Sequence, residues 1–145
     1  MDYGAFYKGY ASDITRTIVV GKVKDKRLKD MYDSVLNANM KAIEAAKPGM
    51  LAKDLDKVAR DYLEERGYGE YFTHSLGHGL GVLIHDELGI HARSETVLEK
   101  NMVFTIEPGV YVPNLGGIRI EDDVVITDDG CEVLTKSKKK LTIIA

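Results

Sequence analysis

Two acidic residues near the start of the chain lie on either side of a predicted turn. Asp2 and Asp13 flank the segment Tyr7-Lys8-Gly9, whose lysine and glycine are typical of a hairpin turn. In a hairpin with its apex between Tyr7 and Lys8, the two carboxylates lie directly opposite each other. Like charges in opposite positions destabilise a sheet, and burial would raise the pKa of each carboxyl. Such a pair therefore indicates a shared proton or a shared cation.

A second acidic pair shows the same relation further along the chain. Glu107 and Glu121 lie at equal distances from Asn114, the middle of the predicted hairpin loop Pro113–Gly117. Two hairpins thus each place two acids face to face. Shared cations explain this better than shared protons, because four carboxylates can hold more than one divalent metal ion.

A histidine-rich segment could complete such a metal site. Residues 74–86, with the sequence HSLGHGLGVLIHD, hold three of the four histidines of the chain. His78 is flanked by Gly77 and Gly79, and glycine lets neighbouring backbones approach closely. Imidazole is a good ligand for transition metals. We therefore predict that His78 reaches into a crowded site and binds metal together with the acids.

Simpler interpretations of these residues stay open from the residues alone. Each acid pair could be solvated charge on an exposed hairpin, and His85 could be a hydrogen-bonded core histidine. The segment Gly77–Gly81 could cradle a phosphate, although it lacks the strand-loop-helix context and the Lys-Ser/Thr that follow in such loops. Arg119 shares a strand face with Glu121, where it would either neutralise the acids or bind a substrate carboxylate.

The elements that must position these side chains follow from the apolar pattern. Residues 25–47 and 51–66 have apolar residues at helical spacing and predict two helices, the second without a good N-cap. Strand-forming residues in 2–20 predict a hairpin. Later short apolar runs predict strands of a mostly antiparallel sheet. These runs are Val82–Ile84, Met102–Ile106, Val110–Val112, Ile118–Ile120, Val124–Ile126 and Leu141–Ile144. The predicted fold class is α+β, with two helices against a curved sheet.

Composition narrows the class of protein. The chain has 145 residues, of which 44% are hydrophobic and 30% charged, as in an ordinary globular domain. A net charge of −3 argues against a nucleic-acid partner, and no apolar run approaches the roughly 18 residues of a membrane span. A single cysteine, Cys131, allows no internal disulfide and favours a reducing, cytoplasmic location. The segment Met1–Gly4 has the pattern of a strand interior, so we expect the chain to begin inside a larger protein.

Four motifs together resemble one family. The segments MDYGAFYKGYASDITRT, HSLGHGLGVLIHDE, TIEPGVY and GGIRIEDD occur in this order, and the resemblance continues through DDGCEVLT. They resemble the metallopeptidases of the pita-bread fold, in the branch of Xaa-Pro aminopeptidase and Xaa-Pro dipeptidase (prolidase). The resemblance implies a curved, mostly antiparallel sheet with helices on its outer face.

The resemblance also implies a cofactor and its ligands. The family binds two divalent metal ions, usually Mn, Co or Zn. The matching positions here are Asp2, Asp13, His78, Glu107 and Glu121. All five hold the residue type that the family uses.

The implied activity is hydrolysis of the N-terminal Xaa-Pro peptide bond by a hydroxide that bridges the two metals. Glu107 would shuttle the proton. His74 and His85 would line the site, one stabilising the tetrahedral intermediate and the other contacting the residue after the scissile bond. Arg119 would lie beside the bridging Glu121, where it would keep the acids ionised or contact substrate. Peptides with proline at the second position would be the substrates, with no nucleic-acid or membrane partner, and family members are often homodimers.

The sequence departs from the family pattern in two places. The second histidine is usually followed by Glu-x-Pro, whereas residues 85–88 read His-Asp-Glu-Leu. The family has a strand-helix segment before the first aspartate, and its proline-specific members have a further N-terminal domain, so we expect both to lie outside residues 1–145. Residues 1–145 would then be the C-terminal portion of a catalytic domain. Methionine aminopeptidase and a non-catalytic binding module of the same fold are the alternatives.

Overall fold

Two helices supply much of the apolar core in the computed structural model, which describes residues 1–144. Helix α1 spans Lys26–Ala45 and helix α2 spans Ala52–Glu65, within the ranges that the apolar spacing predicts. Helix α1 begins after Asp25, whose side chain accepts a hydrogen bond from the Arg27 amide at 2.9 Å. Helix α2 follows Leu51, which provides no side-chain cap, as the sequence predicts.

The helices pack against each other and against the sheet through an apolar stripe. Met31, Val35, Ala38 and Ala42 of α1 recur every three or four residues and are fully buried. The Asn39 side chain on the same face donates a hydrogen bond to the Ile106 carbonyl oxygen at 3.0 Å and so ties α1 to the sheet. Within residues 1–144, no helix has the length and apolar character needed to cross a membrane.

The strands of residues 1–144 form one five-stranded antiparallel sheet and three two-stranded pairs. In chain order they are β1 Asp2–Tyr7, β2 Tyr10–Thr15, β3 Ile18–Val20, β4 Gly77–Gly79, β5 Asp86–Ile90, β6 Val103–Ile106, β7 Gly109–Val112, β8 Gly116–Arg119, β9 Asp122–Ile126, β10 Cys131–Val133 and β11 Thr142–Ile144. The larger sheet has the order β10-β9-β6-β4-β5, and the pairs are β1-β2, β7-β8 and the parallel pair β3-β11. The predicted α+β class and mostly antiparallel pairing are confirmed.

The first hairpin has a different register from the predicted one. Asp13 lies opposite Gly4 and Asp2 opposite Thr15, so the two aspartates are not directly opposite and that prediction is wrong. The turn consists of Lys8 and Gly9, which both have positive φ, a backbone that makes a two-residue hairpin loop. The register differs from the prediction by two residues, and side chains alternate with a period of two. Asp2 and Asp13 therefore still share one face of the hairpin.

The second hairpin has the predicted register. Gly109 lies opposite Arg119 and Val112 opposite Gly116 across the loop. The β7-β8 pairing ends at Gly109 and Arg119. Continuing the same register by two residues places Glu107 opposite Glu121. Both glutamates thus leave the end of this hairpin side by side.

The glycine-rich segment forms β4 in the interior of the larger sheet, which the sequence analysis did not predict. A Cβ atom added at Gly77 would lie 1.8 Å from the Thr105 carbonyl oxygen of β6, so only glycine fits against that strand. The predicted strand Val82–Ile84 is wrong: these residues form the exposed connection from β4 to β5, and pairing resumes at Asp86 opposite Gly79.

Candidate metal centre

Three predicted ligands from different parts of the fold meet at one point. Asp13 lies on β2, His78 on β4, and Glu121 directly before β9. One ligand atom from each residue lies within 4.8 Å of the other two. The Asp13 Oδ2 and His78 Nε2 atoms are 3.8 Å apart. Two carboxylates and one imidazole form a donor set suited to a divalent transition metal ion.

Glu107 joins this cluster through His78. Its Oε1 atom lies 3.3 Å from His78 Nε2. The Thr105 hydroxyl group on β6 donates a hydrogen bond to the same Oε1 atom at 2.9 Å and accepts one from the His78 amide at 3.0 Å. Thr105 therefore fixes both a carboxylate and the strand that carries the imidazole.

Glu121 is held by a second threonine. The Thr15 hydroxyl group donates to Glu121 Oε2 at 2.5 Å and accepts a hydrogen bond from Arg119 Nε at 3.0 Å. Arg119 Nε also lies 4.0 Å from Glu107 Oε2. The guanidinium group thus stands beside Glu107 and reaches Glu121 through the Thr15 hydroxyl group, whereas the sequence analysis predicted only a position beside Glu121.

Asp2 lies at the margin of the cluster. Its carboxylate accepts a hydrogen bond from Arg119 Nη2, and its side chain is 56% exposed. Arg119 Nη1 in turn donates to the Tyr111 hydroxyl group at 3.0 Å. The structure therefore places Asp2 on the correct face of its hairpin but in an ion pair, apart from the three ligand atoms that converge.

Burial and mutual repulsion disfavour the ionised form of these acids in the absence of a cation. Burial, followed by the nearby Glu107, raises the pKa of Glu121 to about 8. Burial also raises the pKa of Glu107, and burial together with Asp2 raises that of Asp13. A divalent ion would remove both penalties, since it supplies positive charge where the acids are desolvated. The donor set therefore fits divalent metal ions.

His85 lies next to the imidazole ligand. Its ring centre is 4.2 Å from that of His78. With Asp2, Asp13 and Ile84, His85 lines a cavity of about 320 Å³ that opens beside the cluster. This position fits a residue that contacts substrate, and its exposure argues against the core-histidine interpretation.

His74 is held more deeply than His85. Its ring packs edge-on against Phe72 at 5.1 Å and lies 5.6 Å from the Tyr111 ring. Burial is the main cause that lowers its pKa, so the ring is neutral at pH 7. Its Nε2 atom is buried and has no hydrogen-bond partner among residues 1–144.

An ion pair on α2 fixes the segment that carries these histidines. Asp56 is fully buried and forms a two-point ion pair with Arg60, and it also accepts a hydrogen bond from the Leu76 amide at 3.2 Å. Arg60 donates to the carbonyl oxygens of Phe72 and His74 at 2.9 and 3.0 Å. Helix α2 thereby sets the path of the chain just before β4.

Replacing Arg60 with methionine should lower the free energy of unfolding by about 3 kcal/mol, because it leaves Asp56 buried without a counter-charge. Lys57→Met on the same helix is the matched control. Lys57 forms an exposed ion pair with Asp61, so its loss should change stability by less than about 0.5 kcal/mol. Urea unfolding of both variants measures the difference. Equal stability of the two would contradict the role given to the buried pair.

Three side chains of the site were missed by the sequence analysis, although a simple signal marks them. Each lies two residues from a predicted ligand, where an extended chain points both side chains to the same face. They are Thr15, Thr105 and Asp123, next to Asp13, Glu107 and Glu121 respectively. Asp123 accepts a hydrogen bond from the Asp13 amide at 3.1 Å, and burial raises its pKa to about 6.

Known proteins share much of this sequence. The family model for metallopeptidase family M24 matches residues 1–128. A Xaa-Pro dipeptidase from Pyrococcus furiosus is 55% identical over 141 residues, which is 97% of this chain and 40% of the relative. The chain thus spans about 40% of the length of that curated relative.

Solved structures give the same result. A Xaa-Pro dipeptidase from Bacillus anthracis superposes with a TM-score of 0.96 at 52% identity, over 99% of this chain and 40% of that one. An X-Pro aminopeptidase from Thermotoga maritima superposes with a TM-score of 0.94 at 43% identity, again over 99% of this chain and 40% of that one. These matches confirm the predicted pita-bread fold. The chain belongs to metallopeptidase family M24.

Proposed function

We propose that this chain forms the metal centre of an enzyme that hydrolyses the peptide bond between an N-terminal residue and proline. The observation that carries the proposal is the convergence of Asp13, His78 and Glu121 on one point, with Glu107 Oε1 3.3 Å from His78 Nε2. The names of the relatives support the substrate class, since they include Xaa-Pro dipeptidases. The whole protein would then act on peptides with proline at the second position.

Five residues would hold the metal ions. These are Asp2, Asp13, His78, Glu107 and Glu121. We propose two divalent ions, Mn, Co or Zn, because four carboxylates and one imidazole exceed what a single ion needs. When bound, such ions would polarise the scissile carbonyl and would make hydroxide available at neutral pH. Asp2 is the ligand for which a metal would compete with Arg119.

The other side chains would bind substrate and move the proton. Glu107 would act as the proton shuttle, since its raised pKa brings it closer to neutral pH and the Thr105 hydroxyl group holds its carboxylate in place. His85 lines the cavity beside the ligands, where it would contact the substrate. Neutral His74 would hydrogen-bond through its free Nε2 atom. Arg119 would keep the acids oriented.

The preferred substrate length, the cellular location and the partners of the protein are finer predictions. Relatives named as dipeptidases and as an aminopeptidase both match, so the preferred substrate length needs a direct test. A cytoplasmic location is inferred from the single Cys131. A homodimer without nucleic-acid or membrane partners is likewise a prediction.

The test is hydrolysis by a chimera in which this chain replaces the matching segment of the Pyrococcus furiosus Xaa-Pro dipeptidase. With Mn²⁺ or Co²⁺ added, the chimera should cleave Ala-Pro and Ala-Pro-Ala after the first residue. The Glu107→Gln chimera should lose at least about 100-fold in kcat, because a proton shuttle contributes at least that factor. Glu132→Gln, on an exposed side chain of β10, is the matched control and should stay active.

Other results would decide against the proposal. Faster release of methionine from Met-Ala-Ser than of alanine from Ala-Pro would favour methionine aminopeptidase. A chimera that binds Mn²⁺ but cleaves neither peptide would favour a non-catalytic binding module. Full activity of the Glu107→Gln chimera would remove Glu107 from the reaction.

A further inference from the structure

Two adjacent buried aspartates have very different surroundings. Asp122 is fully buried and is neutralised by Arg16 and Lys139, each at 2.7 Å. Asp123 is also buried, with 7% of its surface exposed, but no cation among residues 1–144 pairs with it. Its Oδ1 atom has no hydrogen-bond partner there, and its Oδ2 atom accepts one bond, from the Asp13 amide at 3.1 Å. Structural neutralisation explains Asp122 and does not explain Asp123.

The hydrogen bond that Asp123 accepts from Asp13 completes a row of hydrogen bonds that join β2 to the rest of the fold. At Ala11 the backbone amide donates to the Gly81 carbonyl oxygen at 2.8 Å, and at Thr15 the carbonyl oxygen accepts from the Glu121 amide at 3.2 Å. Both of these bonds join backbone to backbone. Asp13 lies midway between Ala11 and Thr15, and there the partner of β2 is the side-chain carboxylate of Asp123.

Asp123 itself is fixed independently of β2. It lies opposite Thr105 in the β6-β9 pairing, and its amide donates a hydrogen bond to the Thr135 hydroxyl group at 2.9 Å. Most of the β1-β2 hairpin is exposed, and β1 is buried at none of its positions. The backbone of Asp13 therefore depends on a rigid acceptor that the larger sheet provides.

We propose that Asp123 is a positioning residue for the metal ligand Asp13. Its carboxylate holds the Asp13 amide, which sets the position of the Asp13 carboxylate relative to His78. The role rests on the proposed function of the cluster as a metal site. It predicts that metal binding depends on a hydrogen-bond acceptor at position 123, since groups that orient metal ligands typically change metal affinity by about 10- to 100-fold.

Calorimetric titration of Mn²⁺ into the 145-residue chain tests this proposal. Asp123→Ala, which removes the acceptor, should raise the Mn²⁺ dissociation constant by about 10- to 100-fold. Asp123→Asn keeps an oxygen at the same distance and should restore binding close to that of the parent. Asp128→Ala is the matched control, because Asp128 is exposed on the β9-β10 turn and pairs only with Lys100 among the described residues.

The outcomes separate the inference from the proposed function. If the parent and Asp128→Ala bind Mn²⁺ and Asp123→Ala binds it equally well, the positioning role is wrong and the metal site stands. If Asp123→Asn binds as weakly as Asp123→Ala, the hydrogen bond is not what matters and the inference is overturned. Asp123→Ser replaces the alanine variant if that variant does not fold, since its hydroxyl group is one bond too short to reach the amide. A parent chain that binds no Mn²⁺ would overturn the metal site and this role with it.

Discussion

Replacing Glu121 with glutamine should weaken Mn²⁺ binding by more than about 100-fold, beyond the range known for groups that only orient a ligand. The same substitution should make the metal-free chain more stable. Both effects follow from one feature, a carboxyl group that is 2% exposed and close to Glu107. A neutral amide removes a metal ligand and also removes a charge that burial and repulsion disfavour.

The direction of the stability change follows from the pKa of Glu121. Its pKa is about 8 in the folded chain and 4.5 as the ordinary value, so the folded state holds the proton more tightly than the unfolded state. The protonated Glu121 carboxyl therefore stabilises the folded state fully below pH 4.5, and this contribution is lost as the pH rises towards 8. At pH 7 the free energy of unfolding of the metal-free glutamine variant should exceed that of the parent by on the order of 3 kcal/mol.

Thermal unfolding and Mn²⁺ titration of the same variant measure the two effects. Glu132→Gln, at an exposed position of β10, is the control and should change neither the stability nor the Mn²⁺ affinity. If Glu121 only accepted the Thr15 hydrogen bond as a structural group, the glutamine variant would bind Mn²⁺ as the parent does. A glutamine variant that is less stable without metal would contradict the electrostatic account.

Mn²⁺ affinity should rise with pH, by close to tenfold between about pH 6 and 7 and less steeply towards pH 8, because a metal ion must displace the proton of Glu121. The raised pKa values of Glu107 and Asp13 act in the same direction. Calorimetry in buffers with different ionisation enthalpies measures the protons released. Any metal binding that remains in Glu121→Gln should release fewer protons. An affinity that is constant from pH 6 to 8 would contradict the assignment.

The sequence predicted an element well wherever apolar residues recurred at a regular spacing along its buried face. Apolar spacing located α1 and α2 because each helix buries one stripe. Residue types that bind metal were likewise visible without the structure. The register of the β7-β8 hairpin also followed, since its loop is centred on Asn114.

Features set by backbone conformation and by contacts distant in sequence were not predictable in the same way. The register of β1-β2 depends on positive φ at Lys8, which few lysines adopt. Glycine lowers strand propensity, so β4 became visible only through its close contact with Thr105. The bond between Asp123 and Asp13 joins residues that are 110 positions apart, and no local pattern marks such a contact.

The most direct test of the metal centre is anomalous X-ray scattering at the manganese edge, from crystals of this chain grown with Mn²⁺. The account predicts anomalous density within coordination distance of Asp13, His78, Glu107 and Glu121. It also predicts that the density disappears in crystals of Glu121→Gln. Density at another place, or none at the cluster under saturating Mn²⁺, would contradict the central claim that these residues form a metal site.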